Sequence, residues 1–233
     1  MIQVLDKGYV RLVSNMGSDL DVVNAARASF AKESSELTER DLKLIDFLIR
    51  DKHDSTLRHC VMTFEVYAPL MVARQWYKHA VGSAHLEDQF GWNESSRRYI
   101  TENEEFYLPL PSQWRSATEN KKQGSGQPLE PAIGAEYTQK LRHLTEEGLK
   151  AYYEALEAGM AAEQARLLLP AYGMYVRWRW TVSLNGALHF LSLRLKDDAQ
   201  YEIREYASAV RDLLSPHYPA SIEAWTKHRI SYF

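Results

Sequence analysis

A single cysteine, Cys60, stands in 233 residues, so the chain can form no intrachain disulfide and no cysteine-rich zinc site. No apolar run approaches the roughly 18 residues a membrane span needs, and Asp6 and Lys7 occupy the place of a signal peptide's apolar segment. The chain therefore reads as cytoplasmic, with no membrane partner. Excess positive charge is missing as well: the net charge of −3 and pI near 6.3 argue against a general nucleic-acid binder. Neither G-x-G-x-x-G nor a Walker sequence occurs, so a flavin would not be bound in the Rossmann manner. Ser96 lies outside any G-x-S-x-G elbow, and His85 and Glu87 lack the P-C-x-x-C half of a zinc deaminase. Five residues separate His53 from His59, a spacing outside H-E-x-x-H, so no metal is expected.

What is present fits one α+β domain of residues 1–233, large enough to bury roughly 70 to 75% of its unfolded surface. Residues 3–5, 9–13 and 60–66 read as short strands, and Cys60 in the last of these reads as a structural thiol because no partner motif accompanies it. Apolar spacing of three and four predicts helices over 19–30, 38–51, 69–79, 131–158, 161–169, 186–195 and 199–214. Thr38 is a candidate N-cap for the second. Residues 174–183, rich in aromatic and β-branched side chains, read as extended. Strands and helices do not alternate regularly, which favours α+β over a doubly wound sheet. Residues 117–131, polar with two Gly and two Pro, read as a mobile loop, and no internal repeat is visible.

The chemistry concentrates in residues 74–99, RQWYKHAVGSAHLEDQFGWNESSRRY. With Pro69 in the first turn of a helix, Gln75, Lys78 and His79 fall at i, i+3 and i+4 and share a face. Asn93, Glu94, Ser96, Arg98 and Tyr99 follow a loop containing Gly82 and Gly91, which can fold a second polar group back on the first. Such a set suits an anion held together with a heterocycle. Trp76, Tyr77, Trp92 and Tyr99 divide evenly between two readings, core residues or stacking surfaces for a planar ligand. Arg166, among apolar residues, is either a guanidinium packed on the core or a ligand clamp. Asn185, His189 and Ser192 form a polar stripe at i, i+4 and i+7, which by itself is more often a solvated face.

NESSRRY at Asn93 to Tyr99, preceded by the helix-end histidine His79, resembles the signature of flavin-dependent thymidylate synthases. The likeness extends in order through VLDKGYVRLV, HDSTLRH, APLMVARQW, ARLLLP and FLSLR, nearly the whole chain. Two departures stand inside the signature: Arg-His-Arg has become Lys78-His79-Ala80, and about eight extra residues separate His79 from Asn93. The resemblance implies reductive methylation of dUMP to dTMP, with FAD as cofactor and 5,10-methylenetetrahydrofolate and NADPH as co-substrates. It implies a homotetramer with active sites built from several subunits. It also implies that Gln75, Trp76, Tyr77, Lys78, Glu94, Ser95, Ser96, Arg97, Arg98 and Arg166 hold the nucleotide. Flavin contacts are implied for His53, Ser55, Lys78, His79, Glu94, Ser183, Leu184, Asn185 and His189. The extra loop, with His85 and nearby Arg97, either compensates for the cation missing at Ala80 or leaves the flavin more weakly held.

Arg194 carries the expected catalysis. A uracil ring accepts carbon or hydride poorly until negative charge can build on N3 and the carbonyl oxygens, and a fixed guanidinium stabilises that charge. Arg stays cationic at working pH and donates in a planar fork, so it activates the ring without acting as a base. Two alternatives remain: a nucleotide- or flavin-binding relative without turnover, and a flavin- and folate-dependent enzyme acting on another uracil, such as one in RNA. The cysteine-attack route to thymidylate gains no support from Cys60.

Overall fold

The computed structural model describes residues 1–79, 92–94, 104–118 and 124–228. Strands β2 (Gly8–Met16), β3 (Val61–Pro69) and β5 (Tyr175–Ser183) alternate their side chains between two faces of an antiparallel sheet. One set, including Val10, Met62, Phe64, Val66, Trp178, Trp180 and Val182, is at most 1% exposed. The opposite face is polar. There Thr63 and Thr181 hydroxyls lie 2.9 Å apart, and Glu65 accepts from Tyr9 Oη at 3.0 Å and pairs with Arg11 at 3.0 Å. Cross-strand pairs of this kind fix register, which runs unbroken from Val61 opposite Ser183 to Pro69 opposite Tyr175. Strands β1 (Ile2–Val4) and β4 (Trp92–Glu94) complete the order β1-β2-β3-β5-β4.

Eight α-helices lie among the described residues: α1 (Asp19–Arg27), α2 (Glu39–Arg50), α3 (Leu70–Trp76), α4 (Pro131–Glu157), α5 (Ala162–Ala165), α6 (Leu184–Arg194), α7 (Tyr201–Leu214) and α8 (Pro219–His228). The α+β class follows. Helices α3, α6 and α7 cover the apolar face of the sheet, where Trp76 stacks on Phe190 with centroids 4.5 Å apart and meets Trp180 edge-on at 5.3 Å. None of the helices is long and apolar enough to cross a membrane. Helix α8, which the sequence reading passed over, is tied down by a buried carboxylate. Asp19 accepts from the backbone N–H groups of Ala220 and Ser221 at 2.7 and 3.0 Å, satisfying two orphan donors at that helix start.

Boundaries shift where local geometry overrides periodicity. Thr38 and Asp41 form the capping box that opens α2, as Thr38 promised. Pro69, expected inside the first turn of a helix over 69–79, instead ends β3 and caps α3 with ψ 146°. That helix stops at Trp76, and Tyr77–His79 is a 3₁₀ turn. The helix expected over 161–169 breaks the same way into α5 and a 3₁₀ turn, Arg166–Leu168. Of the expected loop 117–131, residues 119–123 lie outside the described residues. Its far side is pinned, with Ser116 N–H donating to Gln127 at 2.9 Å and Leu129 N–H to Trp114 at 2.8 Å. Gly134 in α4 is required by a close approach, since a Cβ there would lie 2.0 Å from the Pro111 carbonyl oxygen.

Candidate functional site

The site is organised by α6. Ser183 ends β5, and its Oγ accepts the Gly186 N–H at 3.2 Å, so strand and helix join without an unsatisfied turn. Asn185, His189 and Ser192 then line a cavity of about 290 Å³ together with Ile49, Lys52, Asp54, Leu57, Leu188 and Trp225. The polar stripe therefore lines a cavity, while His189 itself stays exposed to solvent. Ser192 has a structural task there, accepting Trp225 Nε1–H at 2.8 Å while donating to the Leu188 carbonyl at 2.8 Å. A second cavity of about 330 Å³ is lined by Lys78, His79, Gly186, His189, Leu193 and Arg194. His189 belongs to both walls.

Arg194, at the last turn of α6, is held from two directions. Its Nε–H donates to His79 Nε2 at 3.1 Å and its Nη2 to the Gln75 carbonyl at 3.3 Å. Among the described residues its Nη1 has no partner, so a forked donor remains for a ligand. Burial, reinforced by the charges of Arg194, His189 and Lys78, pushes the His79 pKa down to about 3. At neutral pH the imidazole is uncharged, which lets Nε2 accept from Arg194 and assigns the remaining proton to Nδ1. The ring also sits edge-on to Phe190 at 5.1 Å. Burial lowers the Arg194 pKa from its usual value. Guanidinium basicity is high enough that the group stays cationic at working pH.

Lys78 and His79 thus share a cavity wall with Arg194 and His189. Gln75 does not present its amide beside them. Its Nε2 donates to Gln200 Oε1 and, at 3.5 Å, to the Met71 carbonyl. Trp76 is 0% exposed and packed in the core, which excludes it as a stacking surface. Tyr77 is 45% exposed. Leu184 is likewise fully buried, its N–H donating to the Cys60 carbonyl at 2.9 Å. His53 and Ser55 lie in the exposed turn after α2, where His53 stacks on Phe47 at 5.1 Å beside the Lys52 and Asp54 that line the first cavity.

The second signature half is only partly placed. Asn93 and Glu94 stand on β4, opposite Arg179 and Trp178 of β5. Ala80, His85, Ser95, Ser96, Arg97, Arg98 and Tyr99, with most of the insertion, lie outside the described residues, as does the Trp92 side chain. Arg166 is not brought to Arg194; it turns back on its own chain, donating from Nε to Ala162 at 3.1 Å. Cys60 is buried, and desolvation raises its thiol pKa to about 11, so it is no nucleophile. Lys52, Asp54, Trp225, Gly186 and Leu193 escaped the sequence reading. Gly186, His189 and Leu193 stand at i, i+3 and i+7, a face that the helical period alone could have disclosed.

The donor set suits a flavin, whose ring edge is rich in acceptors: Lys78 and the His79 Nδ1–H wall one cavity, Lys52 and Asn185 the other, and His189 both. A family model described as thymidylate synthase complementing protein matches residues 11–220. The flavin-dependent thymidylate synthase of Thermotoga neapolitana is 38% identical over 227 residues, covering 97% of this chain and 94% of that one. Its counterpart in Thermus thermophilus is 39% identical, covering 97% and 78%. The crystal structure of PolB from Streptomyces cacaoi, a UMP/dUMP methylase bound with 5-Br dUMP, is similar with TM-score 0.82 and 29% identity, covering 98% of this chain and 99% of that one.

Proposed function

The chain belongs to the flavin-dependent thymidylate synthase family, and from that premise we propose that it is a cytoplasmic enzyme converting dUMP to dTMP. 5,10-Methylenetetrahydrofolate supplies the one-carbon unit and leaves as tetrahydrofolate. NADPH is the reductant, and FAD supplies hydride-transfer chemistry when bound. The single observation that carries the reading is Arg194, a cation fixed by His79 and Gln75 at a cavity wall with donors still unused.

Each residue then has a task the physical chemistry allows. Arg194 stabilises charge on the pyrimidine as C5 becomes nucleophilic; because it is already oriented, little reorganisation opposes the step. Neutral His79 holds the guanidinium plane without neutralising it, which an Asp or Glu in its place would do. Lys78 supplies positive charge beside the same cavity, while Asn185, His189 and the His53–Ser55 turn supply flavin contacts. Glu94, Ser95, Ser96, Arg97 and Arg98 hold the sugar and phosphate.

The same reading makes the enzyme a homotetramer whose sites are shared. Arg166 reaches the nucleotide from a neighbouring subunit. The apolar surface around it supports this, with Leu167 83%, Tyr172 68% and Leu168 45% exposed. The ribonucleotide in the PolB structure bound with 5-Br UMP favours UMP as a second substrate. The purified protein is expected to show flavin absorbance and to form dTMP from dUMP, methylenetetrahydrofolate and NADPH. Bound flavin without product would leave a binding protein instead. Product formed only from UMP would replace the substrate and keep the chemistry.

A further inference from the structure

Among the described residues three that are not glycine hold positive φ: Leu5 at 58°, Ala31 at 49° and Lys52 at 60°. In this left-handed region a Cβ crowds the following carbonyl oxygen, so glycine is the favoured occupant and asparagine the next. Lys52 is the charged one of the three. It follows Asp51, the C-cap of α2, and beyond it the His53 N–H closes on the Leu48 carbonyl at 2.8 Å. That bond is the wrap that ends a helix through one left-handed residue, a place where lysine costs stability that glycine does not.

The helix end itself therefore gives no reason for a lysine. The cavity beside it does. Lys52 lines the space of about 290 Å³ that Asn185 and His189 wall from α6, with Leu57, Leu188 and Trp225 as its apolar part. Asn185 lies in the first turn of α6, an 11-residue helix whose N-terminal end adds positive potential to that wall. Asp54 adds an acceptor. Lys52 and Asp54 are both exposed, so the charged lining stands at the cavity's open side. A cation, a carboxylate and an apolar wall with an aromatic ring complement a nucleoside phosphate: the first takes the phosphate, the second a ribose hydroxyl, the third a ring. Strained backbone that persists is characteristic of ligand clamps, where the contact offsets the strain.

We infer that Lys52 is a binding residue for a dinucleotide phosphate, kept in a strained backbone position so that its ammonium stands at the mouth of the Asn185–His189 cavity. The inference deepens the flavin enzyme proposed above and rests on it. Two dinucleotides of that reaction carry the group, FAD and NADPH.

The test compares Lys52→Gly, Lys52→Ala and Lys52→Arg with the unaltered protein. Flavin fluorescence gives the affinities for FAD and riboflavin at low and high salt, and steady-state kinetics at saturating FAD give KM and kcat for NADPH. Thermal melts of the flavin-free full chain give stability. Lys52→Gly and Lys52→Ala should weaken one dinucleotide on the order of tenfold. If the phosphate is the flavin's, FAD affinity falls and riboflavin affinity does not; if it is the reductant's, KM for NADPH rises and kcat holds. Lys52→Arg keeps the charge and should stay within about threefold of the unaltered protein. A loss in FAD affinity should shrink at high salt, because an exposed ionic contact is screened. Stability should run the other way, with Lys52→Gly melting about 1 to 3 °C above the unaltered protein and Lys52→Ala no higher than it. A lower melting temperature for Lys52→Gly would assign the lysine to the helix end and overturn the inference. Equal affinity of all variants for both dinucleotides, or a loss that riboflavin shares, overturns the role of Lys52 and leaves the functional reading standing. An unaltered protein that binds neither dinucleotide overturns that reading, and the role of Lys52 with it.

Discussion

Arg194 and Arg166 are both half-buried arginines on short helical turns among leucines, yet the fold treats them oppositely. Arg194 is gripped by two other segments, the His79 imidazole and the Gln75 carbonyl, and faces a cavity. Among the described residues Arg166 bonds within its own turn, to Ala162, and Leu167 beside it is 83% exposed. On the proposed reading, one corner of the site is finished inside a single chain, while the other is completed by a neighbouring subunit. Catalysis in the first corner should tolerate little change, and binding in the second should depend on assembly.

The sharpest way to break that contrast is Arg194→Lys, which keeps the charge and loses the planar fork. Turnover is expected to fall about 10²- to 10³-fold with a smaller rise in KM, the pattern of a group that acts in the transition state. Steady-state kinetics decide it, and unchanged turnover would refute the role. Arg166→Ala should leave turnover at saturating dUMP much closer to normal but weaken dUMP binding by about 1.5 to 3 kcal/mol, the worth of one charge-assisted hydrogen bond. Isothermal titration checks this, and unaltered affinity would remove Arg166 from the site. Leu167→Glu should split the assembly, read by sedimentation. Affinity for dUMP should then fall with it, since the Arg166 corner is lost; a monomer that still binds dUMP tightly would show a site complete in one chain.

A smaller effect follows from His79. Its folded pKa, near 3, lies below the ordinary value of 6.5, so the unfolded chain binds the proton more readily. The stability held with neutral His79 is full above pH 6.5 and is lost as pH falls toward 3. Melting temperature should drop through that window, and His79→Gln, which keeps an acceptor and cannot titrate, should flatten part of the slope. Smallest of all is Cys60→Ala: turnover unchanged, at a stability cost of about 1 kcal/mol for a small buried cavity.

The contrast between the two arginines also marks how far sequence reasoning carries. Sheet strands and helices follow from alternation and three-four spacing, and periodicity placed Asn185, His189 and Ser192 in one stripe of α6, whereas Arg194 was singled out by the family resemblance and its chemistry. What it could not disclose is where a helix tightens or where its side chains find partners. The helix tightens to a 3₁₀ turn at Tyr77–His79, Gln75 turns its amide to Gln200, and the burial of Trp76 removes a ring that composition alone left open. Nor do long-range pairs announce themselves: Arg115 meets Glu202 across 87 residues, and Asp19 caps α8 across most of the chain. Arg166 is the instructive case. Its surroundings read equally as core or clamp, and within one chain it turns back to Ala162, so the clamp is proposed to act on a neighbouring subunit's site.

The most direct test of the account is a crystal structure of the flavin-loaded enzyme with dUMP bound. The Arg194 guanidinium should lie within hydrogen-bonding distance of the uracil N3 or a ring carbonyl, with Nε still on His79. A base seated elsewhere, with Arg194 turned toward bulk solvent, would contradict it.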